Sequence, residues 1–264
     1  MSISINIPIA CFIPNRRLVE IVIEAKEALG ILNSITKIFS DNNINVIYAL
    51  ADASDSVIAK MTFFIDITDS KITISELNDL IKSQPYVINT NTWISSISGL
   101  IYDKICFPKM AQRTPSVILS YDQLFFAIDR FRSIAGEGGA VLFYHIGLYI
   151  GESRFKFFKP ILEKLNIHKA EIIELMLDLG RSYGLYNAKL INLDLNKCTG
   201  IIHIYESFEA TPIRGSREKP SCHFVRGDIA GMLSNLLDKR IIVLEKKCIA
   251  SGNQYCELYF EPYT

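Results

Sequence analysis

Four residues near the C-terminal end restrict what this chain can fold into more than any other feature. Cys222, Glu245, Cys248 and Cys256 stand at the spacing C-x22-E-x2-C-x7-C. Three sulfurs and one carboxylate are donor types that complete a tetrahedral zinc shell, and a closed shell leaves no position for catalytic water. Residues 222–237 read as a helix opened by Cys222. Residues 240–250 and 254–261 read as a hairpin over Ser251-Gly252-Asn253, a good turn signal. Such a hairpin sets Cys248 almost opposite Cys256, with Glu245 near one end of the first strand. The positive end of the helix favours thiolate at Cys222. Two other readings stay open: apolar burial of the cysteines, or a cross-strand Cys248–Cys256 disulfide. His203 and His223 are rival ligands. His223 follows Cys222 on a helix and so points about 100° away from it, which leaves it exposed or packed.

The remaining composition limits the class of protein. The chain has 264 residues, of which 49% are hydrophobic, enough for one large or two ordinary domains with real cores. Lys plus Arg (28) equals Asp plus Glu (28), and no basic block stands out, so there is no electrostatic footprint for nucleic acid. The N-terminus is apolar for only a short stretch and lacks a preceding positive region, which does not read as a signal peptide. No apolar run reaches the ~18–20 residues that span a bilayer. The longest, residues 140–150, is interrupted by His145 and Gly147. A cytoplasmic location is expected, where clustered cysteines read as metal ligands before disulfides.

The first hundred residues alternate strand and helix patterns. Residues 18–24 are apolar and β-branched, a strand; Gly30 then opens a helix with Ile31, Leu32, Ile35, Ile38 and Phe39 at helical spacing. Residues 44–51 and 57–67 are strands joined by a polar turn. Thr73 or Ser75 starts a second helix carrying Leu77, Leu80 and Ile81, and residues 87–97 close as a strand. The order β-α-β-β-α-β is that of a ferredoxin-like unit. With Glu27-Ala28-Leu29-Gly30-Ile31-Leu32 between its first strand and helix, the segment resembles an ACT domain. That resemblance implies an amino-acid-binding or dimerising regulatory module with Gly30 at the ligand-facing turn. The family often has Pro where Leu29 stands, and Gly30 serves a plain tight turn equally well.

Residues 101–135 are read as a linker and connecting helix. Residues 117–119 are a possible short strand, and a helix over 121–134 carries Leu124, Phe125, Ile128 and Phe131. The second domain is expected over residues 136–264. Gly136-Glu137-Gly138-Gly139 has neither a Walker Lys-Ser/Thr pair nor dinucleotide spacing and reads as a turn. After it come a buried apolar element over 140–150, helices over 155–165 and 169–183, and strands over 186–193 and 200–208. The fold class is α+β: a ferredoxin-like domain followed by a mixed domain of antiparallel sheet and helices.

The stretches S-C-H-F-V-R-G-D-I-A-G and L-E-K-K-C-I-A-S-G-N-Q-Y-C, with Ser207-Phe208-Glu209-Ala210 before them, resemble the 4-vinyl reductase (hydrocarbon-binding) domain family. The resemblance spans residues 136–262. It implies a structural zinc on Cys222, Glu245, Cys248 and Cys256 beside an apolar pocket. Phenol-type sensors of this family carry Trp three residues before the Ser; here that position is Ile204, and the only Trp is Trp93, in the other domain. Ile204, Arg226 and Met232 are the candidate pocket residues, and a more aliphatic ligand is implied. His145 reads as a core histidine.

The expected function is therefore small-molecule sensing. A hydrophobic small molecule or lipid is the ligand, a homodimer is the assembly, and a separate regulatory partner protein carries the output. A scaffold or tethering protein with a lipid pocket is the alternative. Reduction of a vinyl tetrapyrrole is disfavoured because no nicotinamide or flavin fingerprint and no paired acid and base stand out, so an enzyme is not expected.

Overall fold

The computed structural model describes residues 4–263. The chain divides at Ile118/Leu119 into two compact units.

In the first unit the elements are β1 (Ala10–Phe12), β2 (Leu18–Lys26), α1 (Ile31–Asp41), β3 (Asn45–Asp52), β4 (Ile58–Asp66), α2 (Ile74–Lys82), β5 (Val87–Ile94), β6 (Leu100–Tyr102), β7 (Lys109–Ala111) and β8 (Thr114–Ser116). The main sheet has the order β3-β4-β2-β5, every pair antiparallel, which is the ferredoxin-like arrangement. Val19, Ile21, Ile23 and Ala25 of β2 pack with Ile35 and Phe39 of α1 and Leu77 and Ile81 of α2. Leu18 and Phe64 form a second small core with Ile101. Burial on both faces explains why β2 reads almost continuously apolar. Gly30 has φ 87°, a conformation that selects glycine, and directly precedes α1. The expected start of α2 is a capping box, with Thr73 Oγ1 accepting from Glu76 N and Glu76 reaching back to Thr73 N.

Part of the stretch expected as a linker is structured within this unit. Strand β6 pairs with β1, and β7 pairs with β8. Strand β8 ends at Ser116, so the short strand expected at 117–119 is not formed. Short strands with Pro and Gly nearby carry too little periodicity to announce themselves.

The second unit contains α3 (Tyr121–Ala135), α4 (Glu137–Leu165), α5 (Lys169–Ser182), β9 (Tyr186–Asp194), β10 (Thr199–Ser207), α6 (His223–Leu237), β11 (Ile241–Lys247) and β12 (Cys256–Pro262). Its sheet runs β11-β12-β10-β9, all antiparallel. The apolar element expected over 140–150 and the helix over 155–165 are one helix, α4. Gly147 and Gly151 look like breakers in sequence, yet they are contact points with α6. A Cβ on Gly147 would lie 2.1 Å from Phe224 O, and one on Gly151 would lie 1.9 Å from Asp228 O. The relation is reciprocal, because a Cβ on Gly227 or Gly231 of α6 would lie 2.0 Å from Tyr144 O or Leu148 O. Backbone thus meets backbone across the helix pair. This approach buries Arg154, whose Nη2 donates to Asp228 Oδ2 (2.7 Å) and to Tyr186 Oη (3.0 Å). Helix α3 belongs to this unit: its Arg132 is ion-paired with the fully buried Glu209.

Candidate metal centre

The site begins with a buried carboxylate. Ser207 Oγ accepts from Glu209 N (3.1 Å) and Ala210 N (3.3 Å), turning the chain after β10 so that Glu209 points inward. Glu209 then accepts from Phe224 N and Val225 N, both at 3.1 Å. These are orphan amides of the first turn of α6, so Glu209 caps that helix and favours its positive end. Burial pushes the Glu209 carboxyl up, while Arg132 and the two backbone N–H groups pull it back. The Ser-x-Glu-Ala stretch is therefore a device that fixes where α6 starts, and Cys222 is the residue immediately before that start.

Strand β11 delivers Glu245, whose Oε2 accepts from Cys222 N at 3.0 Å. A register irregularity between Glu245 and Lys247 ends regular pairing with β12. Cys248 follows and opens the 3-10 turn Ile249–Ser251, which closes through Gly252 at φ 91°. Asn253 N donates to Cys248 O at 3.1 Å, and the chain returns to Cys256 at the start of β12. This is the expected hairpin. Its backbone donates to the sulfurs: Ala250 N lies 3.3 Å from Cys248 Sγ and Ile249 N lies 3.2 Å from Cys256 Sγ.

The four side chains converge. Their donor atoms all lie within 4.8 Å of one another, and the three cysteines are fully buried. Cys222 Sγ is 3.5 Å and Cys248 Sγ 4.0 Å from Cys256 Sγ. Tetrahedral thiolates at a Zn–S distance of about 2.3 Å stand about 3.8 Å apart, between those two values. All three thiols are free, so the disulfide alternative does not describe this fold. Glu245 Oε1 is buried with no hydrogen-bond partner, an acceptor that a cation would satisfy. Burial foremost, then the neighbouring Cys248, pushes the Glu245 carboxyl up to about 8. Hydrogen bonds with Cys248 and Cys256, then burial, push the Cys222 thiol well up. The cluster thus resists holding its full negative charge by itself, and a metal ion removes that conflict. The donor set can hold a metal ion.

The rival histidines stand apart from this cluster. His223 Nδ1 faces Arg226 Nη2 at 3.0 Å, while His203 stacks on Tyr255 and its Nε2 lies 3.2 Å from Glu257 Oε2. The candidate pocket residues do not share one cavity. Ile204 and Met232 are fully buried in the main core of this unit, and Ile204 pairs across the sheet with Cys256. Arg226 instead lines an open cleft of about 830 Å³ with Tyr144, Leu148, Asn235 and the edge strand β11. Its guanidinium lies over the Tyr144 ring at 5.7 Å. His145 also borders that cleft and is not a core residue. Sequence reasoning missed the Glu209–Arg132 pair and the Arg154–Asp228–Tyr186 group. The one available signal was an acid inside the apolar run that follows residue 200.

Comparison with known proteins agrees with this part of the fold. Residues 201–262 match the family model of the 4-vinyl reductase domain, so the C-terminal unit carries that domain. Uncharacterized protein MJ1642 of Methanocaldococcus jannaschii is 26% identical over 140 residues, covering 52% of this chain and 74% of its own. The phenol-responsive sensory domain of the transcription activator PoxR, solved with phenol, is similar in fold at 19% identity. Its TM-score is 0.53, with 58% of this chain and 84% of that chain covered. A vinyl-4-reductase family protein of Methanocaldococcus jannaschii is 18% identical, with 56% of this chain and 85% of that one covered and a TM-score of 0.37. Among the described residues no helix is long and apolar enough to cross a membrane.

Proposed function

We propose that this chain is a ligand-sensing regulatory protein whose 4-vinyl reductase domain, stapled by a structural zinc, binds a hydrophobic small molecule. The observation that carries this reading is the convergence of Cys222, Glu245, Cys248 and Cys256 within the segment that matches that domain. Zinc on these four residues joins the start of α6 to the β11–β12 hairpin, and the closed shell assigns it a folding role instead of a catalytic one. Support for sensing comes from the likeness in fold to a domain described as phenol-responsive. Ile204, where phenol-type sensors carry Trp, makes the interior aliphatic, so this chain is assigned an aliphatic or alkyl-substituted ligand. Ile204 and Met232 lie on the apolar side of α6 and the sheet, and Arg226 lies on the cleft side. The ferredoxin-like unit is assigned as the ACT-like regulatory or dimerising module. A homodimer is assigned as the assembly, on the exposed apolar side chains of α4, among them Leu142, Ile146, Tyr149 and Phe157.

Native mass spectrometry of the purified full chain tests the reading. One resident zinc per chain is expected, lost on Cys248→Ser together with a fall in melting temperature on the order of 10 °C. A Cys248→Ser protein that keeps both its metal and its melting point has the site misassigned. For the ligand, alkylphenols and long-chain fatty acids are screened by thermal shift, and at least one class is expected to raise the melting temperature. No shift from either class, with nothing co-purifying, rejects sensing. A spectral change with NADPH and a vinyl tetrapyrrole replaces it with the reductase reading.

A further inference from the structure

We infer that the first unit holds a second, exchangeable metal site, made by Glu20, Asp103 and Cys106 and suited to a thiophilic divalent cation of the zinc class. Glu20 lies on the inner strand β2, paired across the sheet with Phe64 on β4 and Trp93 on β5, and is fully buried. A carboxylate there is costly unless it is matched by charge and hydrogen bonds. Only half of it is matched. Oε2 accepts from Lys104 N at 3.0 Å, and Oε1 has no partner. The turn after β6 brings two more donors to the same place. Asp103 Oδ1 accepts from Cys106 N at 2.9 Å, and Cys106 Sγ lies 3.4 Å from Thr62 Oγ1. Glu20, Asp103 and Cys106 each offer one ligand atom, and the three atoms lie within 4.8 Å of one another.

Lys109 is the built-in cation of this pocket, and it touches Asp103, not the free oxygen of Glu20. Two carboxylates and one ammonium leave the pocket one negative charge out of balance. A divalent cation, with Cys106 bound as thiolate, brings the same groups to zero. Three protein donors leave a fourth tetrahedral position open to water. Such a shell exchanges its metal more readily than the closed shell of the second unit. The site lies in the ferredoxin-like unit, between β2 and the segment after β6, so its occupancy would tie that segment to the sheet.

The experiment uses the full chain, stripped with chelator and titrated with zinc, equivalents being counted by native mass spectrometry. Cobalt in parallel reports thiolate ligation by its charge-transfer absorbance. Two equivalents are expected in the wild type. Cys106→Ser, a change at a half-buried thiol, loses one of them and keeps the native circular dichroism spectrum. Glu20→Gln tests the same loss from the buried side. A wild type that saturates at one equivalent, the one that Cys248→Ser removes, overturns the proposal. So does a second equivalent that survives both Cys106→Ser and Glu20→Gln. If the second unit holds no metal, the single equivalent left is the one that Cys106→Ser removes, so the two assignments fail separately.

Discussion

At the scale of single residues, Glu209 has the widest reach. It is fully buried, caps two amides of α6 and pairs with Arg132 of α3. Glu209→Gln keeps the shape but replaces one acceptor oxygen by a donor that faces N–H groups. We expect a loss of roughly 3 kcal/mol, read as a lower urea midpoint. Zinc affinity is expected to fall by roughly tenfold, because Cys222 is placed by the helix end that Glu209 holds. Unchanged affinity would detach the cap from the metal centre. The sequence shows the cysteines more plainly than it shows this acid. Few residue types bind metal, and their spacing repeats a known geometry. A helix cap supplied from 15 residues away has no local signature, and neither does a pair such as Arg154 and Asp228, which meet only in space.

At the scale of elements, the contact of α4 with α6 depends on four glycines. Gly151→Ala places a methyl 1.9 Å from a backbone oxygen that belongs to a packed helix and has little room to move. A destabilisation of roughly 3 kcal/mol is expected. Gly138→Ala, near the start of the same helix with open space around it, is expected to gain about 0.5 kcal/mol from propensity alone. Equal urea midpoints for the two variants would refute close approach as the reason for glycine. Helix α2 allows a test by pH. Thr73 N, then the Thr73 hydroxyl, hold the Glu76 carboxyl below its ordinary value. A depressed carboxylate stabilises the fold above its unfolded pKa of about 4.3 and loses that contribution as pH falls through the lower folded value. The deficit of Glu76→Gln in urea midpoint at pH 7 should therefore close by about pH 3. This cap was legible because its parts lie three residues apart. Helix α4 was not legible as one element, because helix-internal glycine ordinarily signals a break.

At the scale of the whole molecule, the question is what each unit needs in order to fold. Reading residues 101–135 as linker and connecting helix puts the start of the second domain at 136. The contact division puts it at Leu119 and gives α3 to that unit. The difference has an energetic consequence. A fragment of residues 136–264 lacks Arg132 and leaves Glu209 buried with only its two amide donors, the situation in which an ion pair loses one partner. It also loses Ile128 from the core and the Tyr121 hydroxyl that donates to Gly184 O. A fragment of residues 119–264 keeps all of these. The longer fragment is expected to unfold in one cooperative step with its zinc retained. The shorter one is expected to melt on the order of 10 °C lower, because breaking a buried pair costs roughly 3–5 kcal/mol and each kcal/mol moves a unit of this size by about 2–4 °C. Differential scanning calorimetry of the two fragments decides the matter. Coincident melting would make α3 a connector after all, and Glu209 would then be held by the helix start alone.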